Sequence, residues 1–163
     1  MNKIDIANGL IFQHLNISKE EFKDRIIYQK KIYLLQSLGT NLGYLYNWYI
    51  RGPYSPGLTN YVYNNLDILL SMDFSKYKLS DTVVKNISKI NKLEMLKPSS
   101  LNDVSWYELL ASILYIHNNS KSWKIDDTNP KEEIDLLLKY KPQYNLEQCE
   151  YAYAQLKKEE FIN

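Results

Sequence analysis

The stretch Tyr44-Leu45-Tyr46-Asn47-Trp48-Tyr49-Ile50-Arg51-Gly52-Pro53-Tyr54-Ser55-Pro56-Gly57-Leu58 holds the change of period on which the fold turns. From Tyr44 to Ile50 every second residue is aromatic or aliphatic, and aromatic side chains favour strands, so the spacing predicts a short strand. Gly52 to Gly57 then reads as a shaped turn, because two prolines fix φ and remove donors while two glycines permit positive φ. Ser55 before Pro56 predicts a helix start, a hydroxyl cap followed by proline at the first helical position. Leu58, Val62, Leu66, Leu69 and Leu70 continue as the apolar stripe of that helix, which runs to about Ser71.

On the N-terminal side, Ile4, Ala7, Leu10, Ile11 and Leu15 recur at helical spacing, and Asn16 can end the run. Ser18 and Glu21 have the spacing of a capping box for a second helix that reaches Leu38 and closes at Gly39. On the C-terminal side an extended piece around Tyr77 to Leu79 precedes Ser80, and Val83, Val84, Ile87, Ile90 and Leu93 mark a further helix to about Met95. Lys97-Pro98-Ser99-Ser100 then breaks the chain. Three helices follow: one from a Ser105/Glu108 capping box through His117, one opened by Asn129-Pro130 and stopped at Lys141-Pro142, and one capped by Asn145. The expected fold is mainly α with a small β element: a helical unit over residues 1–97 carrying a winged-helix-like strand and turn, and a three-helix unit over residues 98–163 packed with it as one domain.

The whole chain is 163 residues, the size of one domain, and 45% of it is hydrophobic, enough to build a core. Twenty Lys and Arg against 19 Asp and Glu leave a net charge of +1, so no overall field draws it to nucleic acid or to a membrane. One cysteine and two histidines rule out a disulfide framework or a zinc site of Cys and His ligands, and no metal or cofactor is expected. No segment approaches the roughly 20 apolar residues of a membrane span, and Asp5, Asn8 and Gln13 interrupt what a signal peptide would keep apolar. A cytoplasmic protein is expected.

His117 and Cys149 lie on apolar helical faces with no catalytic partner beside them, His14 is equally without one, and the carboxylate pairs Glu20/Glu21, Glu132/Glu133 and Glu159/Glu160 sit at helix ends or on solvated faces. No enzyme is expected. Fifteen tyrosines are the compositional excess, and seven aromatics crowd between Tyr44 and Tyr63. One register of an alternating strand can face a core while the other cannot, so part of Tyr44, Tyr46, Trp48, Tyr49, Tyr54 and Tyr61 should stand exposed beside Arg51, with Ser55 at the turn. Exposed Tyr, Trp and Arg are the residues that anchor protein partners. A competing site is Lys85, Lys89 and Lys92, whose spacing of four and three lines one helix face and suits phosphate contact.

Gln29-Lys30-Lys31-Ile32-Tyr33-Leu34-Leu35-Gln36, then Trp48-Tyr49-Ile50-Arg51-Gly52-Pro53-Tyr54-Ser55-Pro56 and Leu58, resembles the pattern of the Panacea antitoxin domain and the related YwgA-like bacterial and phage proteins over about residues 22 to 70. Trp106 to Ile113, Lys141-Pro142 and Ala152 to Leu156 look like the helical tail of the YwgA-like group. The resemblance implies a mostly helical fold with a small winged-helix-like unit, encoded in toxin–antitoxin and phage or mobile-element loci and acting by binding a protein partner, either as a neutralising module or as an adaptor that presents a toxin to a protease. It carries over no catalytic residue. The turn Tyr54-Ser55-Pro56 departs from the valine-rich turn of the Panacea proteins and leans toward the YwgA-like branch. The expected function is a non-enzymatic binding module of a defence or counter-defence system, an antitoxin or an inhibitor. The alternative is a winged-helix transcriptional regulator that grips DNA.

Overall fold

The computed structural model describes all 163 residues. Eight helices and one two-stranded sheet follow in the order α1 (Lys3–His14), α2 (Phe22–Ser37), β1 (Asn47–Tyr49), β2 (Gly52–Tyr54), α3 (Pro56–Ser71), α4 (Asp81–Met95), α5 (Asp103–Asn118), α6 (Ser120–Trp123), α7 (Pro130–Tyr140) and α8 (Leu146–Lys158). The fold is mainly helical with a small β element.

Two helices make the centre. Helix α2 is buried without a break from Tyr28 to Leu35, and α5 from Trp106 to Leu114, so neither has the single apolar stripe of a surface helix. They pack on each other. Helix α4 and β2 cover α2, α7 and α8 pack on α5 and on one another, and α1 lies against α3. One cluster of 35 buried residues runs from Leu10 to Ile162, so the core passes through the Lys97 to Ser100 break without interruption.

Local chemistry explains most boundaries. The Ser55 hydroxyl accepts from the Leu58 amide with Pro56 at the first turn of α3, Ser80 caps α4, Asn129 with Pro130 opens α7, and Asn145 caps α8 with the Gln148 side chain returning the bond. Asn16 ends the first helical run at a positive φ of 54°. Two expected capping boxes lie elsewhere. Helix α2 begins at Phe22, where Asp24 accepts from the Glu21 amide and Ser18 only supports that carboxylate; α5 is capped by Asn102, which places Ser105 inside the helix and leaves Glu108 for another task. The chain around Tyr77 to Leu79 is irregular, and α6 is an additional single turn after α5.

The aromatic segment also differs from a strand over Tyr44 to Ile50 followed by an irregular Gly52 to Gly57. Only Asn47 to Tyr49 pair, and their partner is Gly52 to Tyr54, in the register Asn47 with Tyr54, Trp48 with Pro53 and Tyr49 with Gly52. The reversal falls on Ile50 and Arg51. Both keep ordinary negative φ, so the left-handed residue that such hairpins need falls on Gly52, at φ 87°. Pro53 is tolerated because the sheet has two strands only, so each strand is an edge.

Gly52 is also pressed against α5. A Cβ built there would stand 2.5 Å from the Ser112 Oγ. Gly52→Ala combines a left-handed side chain with an overpacked contact and is expected to cost about 3 kcal/mol in urea unfolding. Adding Ser112→Ala should recover the steric part and leave the backbone part, because the Ser112 hydroxyl has no hydrogen-bond partner of its own to lose.

Candidate hairpin cleft

The hairpin is held from below by side chains that cross the core. Gln29 forms a reciprocal amide pair with Ser55, its Nε2 donating to the Ser55 carbonyl at 2.9 Å and its Oε1 accepting from the Ser55 amide at 2.9 Å. The same Nε2 donates to the Thr59 hydroxyl, and the Tyr46 hydroxyl donates to the Gln29 carbonyl. Lys30, 1% exposed, donates to the Pro53 carbonyl at 2.7 Å. Lys141 reaches in from the end of α7, donating to the Ile50 carbonyl at 2.6 Å and to the Glu108 carboxylate at 2.7 Å while its ammonium lies 5.5 Å from the centre of the Trp48 ring. Gln29, Lys30, Lys141 and Glu108 thus belong to the hairpin's scaffold. Gln29 and Lys30 satisfy three buried backbone groups at Ser55 and Pro53 that would otherwise lack partners, and Lys141, held by Glu108, serves the part-buried Ile50 carbonyl.

The aromatic residues divide between the two faces. Tyr44, Tyr46, Trp48 and Tyr61 turn inward: Tyr44 donates to Asn8, Tyr61 donates to Asp5, Tyr46 packs on Tyr33 at 5.0 Å between ring centres, and Trp48 packs among Tyr115, Trp123 and Tyr140. Ser55 is 1% exposed and serves as the cap of α3. Tyr49, Arg51 and Tyr54 are brought together at the surface, with Tyr49 edge-on to Tyr54 at 5.2 Å.

Between this hairpin, the first turns of α2 and the start of α3 lies a cleft of about 600 Å³, within the usual range of about 300–1,000 Å³ for ligand sites. Phe22, Ile26, Tyr28, Tyr49, Ile50 and Tyr54 supply apolar walls, and Arg25, Gln29, Lys30, Arg51 and Thr59 the polar ones. At its rim Ile50 is 95% exposed, Phe22 63% and Tyr49 44%. The Arg51 guanidinium lies over the Phe22 ring at 5.3 Å. Phe22, Arg25 and Ile50 were not among the residues expected at a site. Phe22, Arg25 and Gln29 do recur at steps of three and four, the spacing that puts side chains on one helix face, and that was the available signal.

Electrostatics at the cleft floor are one-sided. Burial pulls the Lys30 ammonium down to about 7, against the attraction of Glu108 and with repulsion from Lys141 and Arg51. No aspartate or glutamate lines the cleft.

The lysine face of α4 is partly consumed inside the protein. Lys92 pairs with Glu159 at 2.7 Å and Lys89 with Glu160 at 3.7 Å, while Lys85 is exposed and makes no ion pair. Helix α3, which a winged-helix reading would lay in a groove, carries no lysine or arginine and one aspartate. His117 Nδ1 lies 2.7 Å from the buried Glu133 carboxylate, and His14 meets the Leu10 carbonyl in its own helix. Cys149 is fully buried, and burial raises its thiol to about 11, away from thiolate chemistry. No three metal-ligating side chains of His, Cys, Asp or Glu converge, and no helix is long and apolar enough to cross a membrane. Comparison with protein-family models, with curated proteins and with solved structures finds no match to this chain.

Proposed function

We propose that the chain is a non-enzymatic protein-binding module, an antitoxin or inhibitor of a defence or counter-defence system, and that it takes its partner at the hairpin cleft. The observation that carries this reading is the hairpin tip: Tyr49, Ile50 and Arg51 project into solvent from a backbone fixed by the buried Gln29, Lys30 and Lys141. Large apolar side chains and an arginine held rigidly outward are what partner anchors require, because little conformational freedom is lost on contact. The likeness of the Gln29–Gln36 and Trp48–Pro56 segments to the Panacea and YwgA-like pattern supports the same class. In this structure those two segments are joined, since Gln29 and Lys30 grip Ser55 and Pro53.

The test is a pull-down with the tagged chain from nuclease-treated lysate of its host, read by mass spectrometry beside the variant Tyr49→Ala/Ile50→Ser/Arg51→Ala. All three side chains are exposed, so the variant is expected to keep its circular dichroism and its unfolding midpoint. A stoichiometric protein recovered by the parent and lost by the variant is the expected result, as removal of one central anchor typically costs about 2 kcal/mol or more. Equal recovery by both, or nucleic acid alone recovered from an untreated lysate run in parallel and lost on nuclease treatment, overturns the reading.

A further inference from the structure

The chain has two arginines, Arg25 and Arg51, and both line the hairpin cleft. They come from different elements, the first turn of α2 and the hairpin reversal. Neither is in an ion pair, although eight ion pairs form elsewhere in the molecule. Arg25 spends its Nε on the Lys19 carbonyl, and Arg51 stacks on Phe22. Both guanidinium forks are left without an acidic partner at a cleft with no carboxylate of its own, over a floor that holds the Lys30 amine. Guanidinium is the group that reads a carboxylate in a bidentate plane, and it does so best where a low-dielectric wall stands behind it. Here that wall is the buried Ile26 and Tyr28, with the Phe22 ring on which Arg51 lies.

Resting on the binding-module reading above, we infer that the occupant of the cleft is a linear segment of the partner protein in which an aspartate or glutamate is flanked by apolar or aromatic side chains, the carboxylate held between Arg25 and Arg51 and its neighbours packed on Phe22, Tyr49 and Ile50. Charge complementarity decides the sign of the segment. The open, apolar rim decides its flanks, because two arginines among exposed Phe and Ile form no continuous cationic track of the kind that a phosphate backbone needs.

The test is to pan a phage-displayed library of random linear peptides on the full chain, and to measure the enriched sequences as synthetic peptides by fluorescence anisotropy at low and moderate salt. Three variants are compared with the parent: Arg25→Glu/Arg51→Glu, the milder Arg25→Gln/Arg51→Gln, and Ile50→Asp. Each is checked for an unchanged unfolding midpoint, and the glutamine pair keeps the test informative if charge reversal disturbs the fold. Enrichment of acidic–apolar sequences is expected. Their binding should weaken about tenfold or more in both arginine variants, should weaken with salt, and should return in the charge-reversed variant when the peptide acid is changed to lysine. Peptides that lose binding in Ile50→Asp yet lack an acidic residue overturn this inference and leave the cleft as the binding face. Peptides insensitive to all three variants overturn the inference together with that binding face. A panning that enriches no sequence overturns the linear-segment occupant.

Discussion

Lys141→Met is expected to lower the free energy of unfolding by about 3–5 kcal/mol, the cost of stranding a buried carboxylate. The Lys141 side chain is 3% exposed and the Glu108 side chain 8%, and their 2.7 Å contact is the most enclosed ion pair in the molecule. Removing the ammonium leaves Glu108 without its direct partner, the Ile50 carbonyl without a donor, and the Trp48 ring without the cation above it. The loss is expected to be local in its first consequences. The tip is tied to the body through Ile50, so limited digestion by trypsin after Arg51 should accelerate before the rest of the chain loosens. Glu108→Leu/Lys141→Met removes both charges at once and should recover much of the loss, because two well-packed apolar side chains avoid the desolvation that the pair has to offset. Urea unfolding of the two single variants and the double variant gives the coupling. A Lys141→Met protein within about 1 kcal/mol of the parent would show that the pair does not hold the hairpin.

Stability is expected to rise from pH 7 toward about 10 and then to collapse. Two groups of residues act in opposite directions. Lys30 is lowered by burial from its ordinary 10.5 to about 7, and Lys31 is lowered by the same cause against the pull of Glu94. Between pH 7 and 10.5 the unfolded chain holds a proton on Lys30 that the folded chain has released, so stability increases with pH across that window. Nine tyrosines behave the other way: Tyr28, Tyr33, Tyr44, Tyr46, Tyr61, Tyr107, Tyr115, Tyr144 and Tyr153 are all raised, with burial the leading cause, and Tyr33 is pushed up to about 12. An unfolded tyrosine ionises near 10 while these keep their protons in the fold. Their contribution is complete below pH 10 and is lost as pH rises through the folded values. A tenfold difference in proton affinity between the folded and unfolded chain is worth about 1.4 kcal/mol, and less at the partly solvated Tyr61 and Tyr115, where water screens the ring oxygen. The checking measurements are urea midpoints from pH 6 to 11 beside the near-ultraviolet absorbance of tyrosinate. Part of the tyrosinate signal should appear only together with loss of ellipticity, and Lys30→Met should flatten the rise below pH 10. Titration of all the tyrosines near 10 in a protein that is still folded would show that burial does not hold their protons.

Much of the helical frame is legible in the chain because its signals are local. Ser55 with Pro56, Ser80, Asn129 with Pro130, and Asn145 each sit within one turn of the amides they serve. What escapes is set by distant neighbours. Gly52-Pro53-Tyr54 looks like pure turn, yet it is the second strand, because Trp48 and Tyr49 supply a partner and α5 presses on Gly52 from behind. Lys30, Lys31 and Lys141 read as surface charge in any local pattern, and all three are buried. One clue was present. The run Ile26 to Leu35 is so apolar around Gln29, Lys30 and Lys31 that a helix there has no side left for water, which forces those three polar groups to find partners inside. Alternation put Tyr49 and Arg51 in one register but did not say which register faces out, and Tyr54 lay beyond the alternating run; Ile50 stands at the tip because the reversal falls on it, a fact of register rather than of composition.

The pairing of α2 with α5 also imposes a timetable on synthesis. The last residue of α2 is Ser37 and the last of α5 is Asn118. At about 5–20 residues per second a ribosome takes on the order of ten seconds to cover the interval between them. For that time the emerging chain holds Ile32, Leu34 and Leu35 without the helix that will cover them, beside lysines whose final acceptors include a carbonyl at Pro53. The nascent protein is therefore at its most vulnerable to aggregation and proteolysis in the middle of translation, and a chaperone that shields apolar helices would be needed then rather than after release.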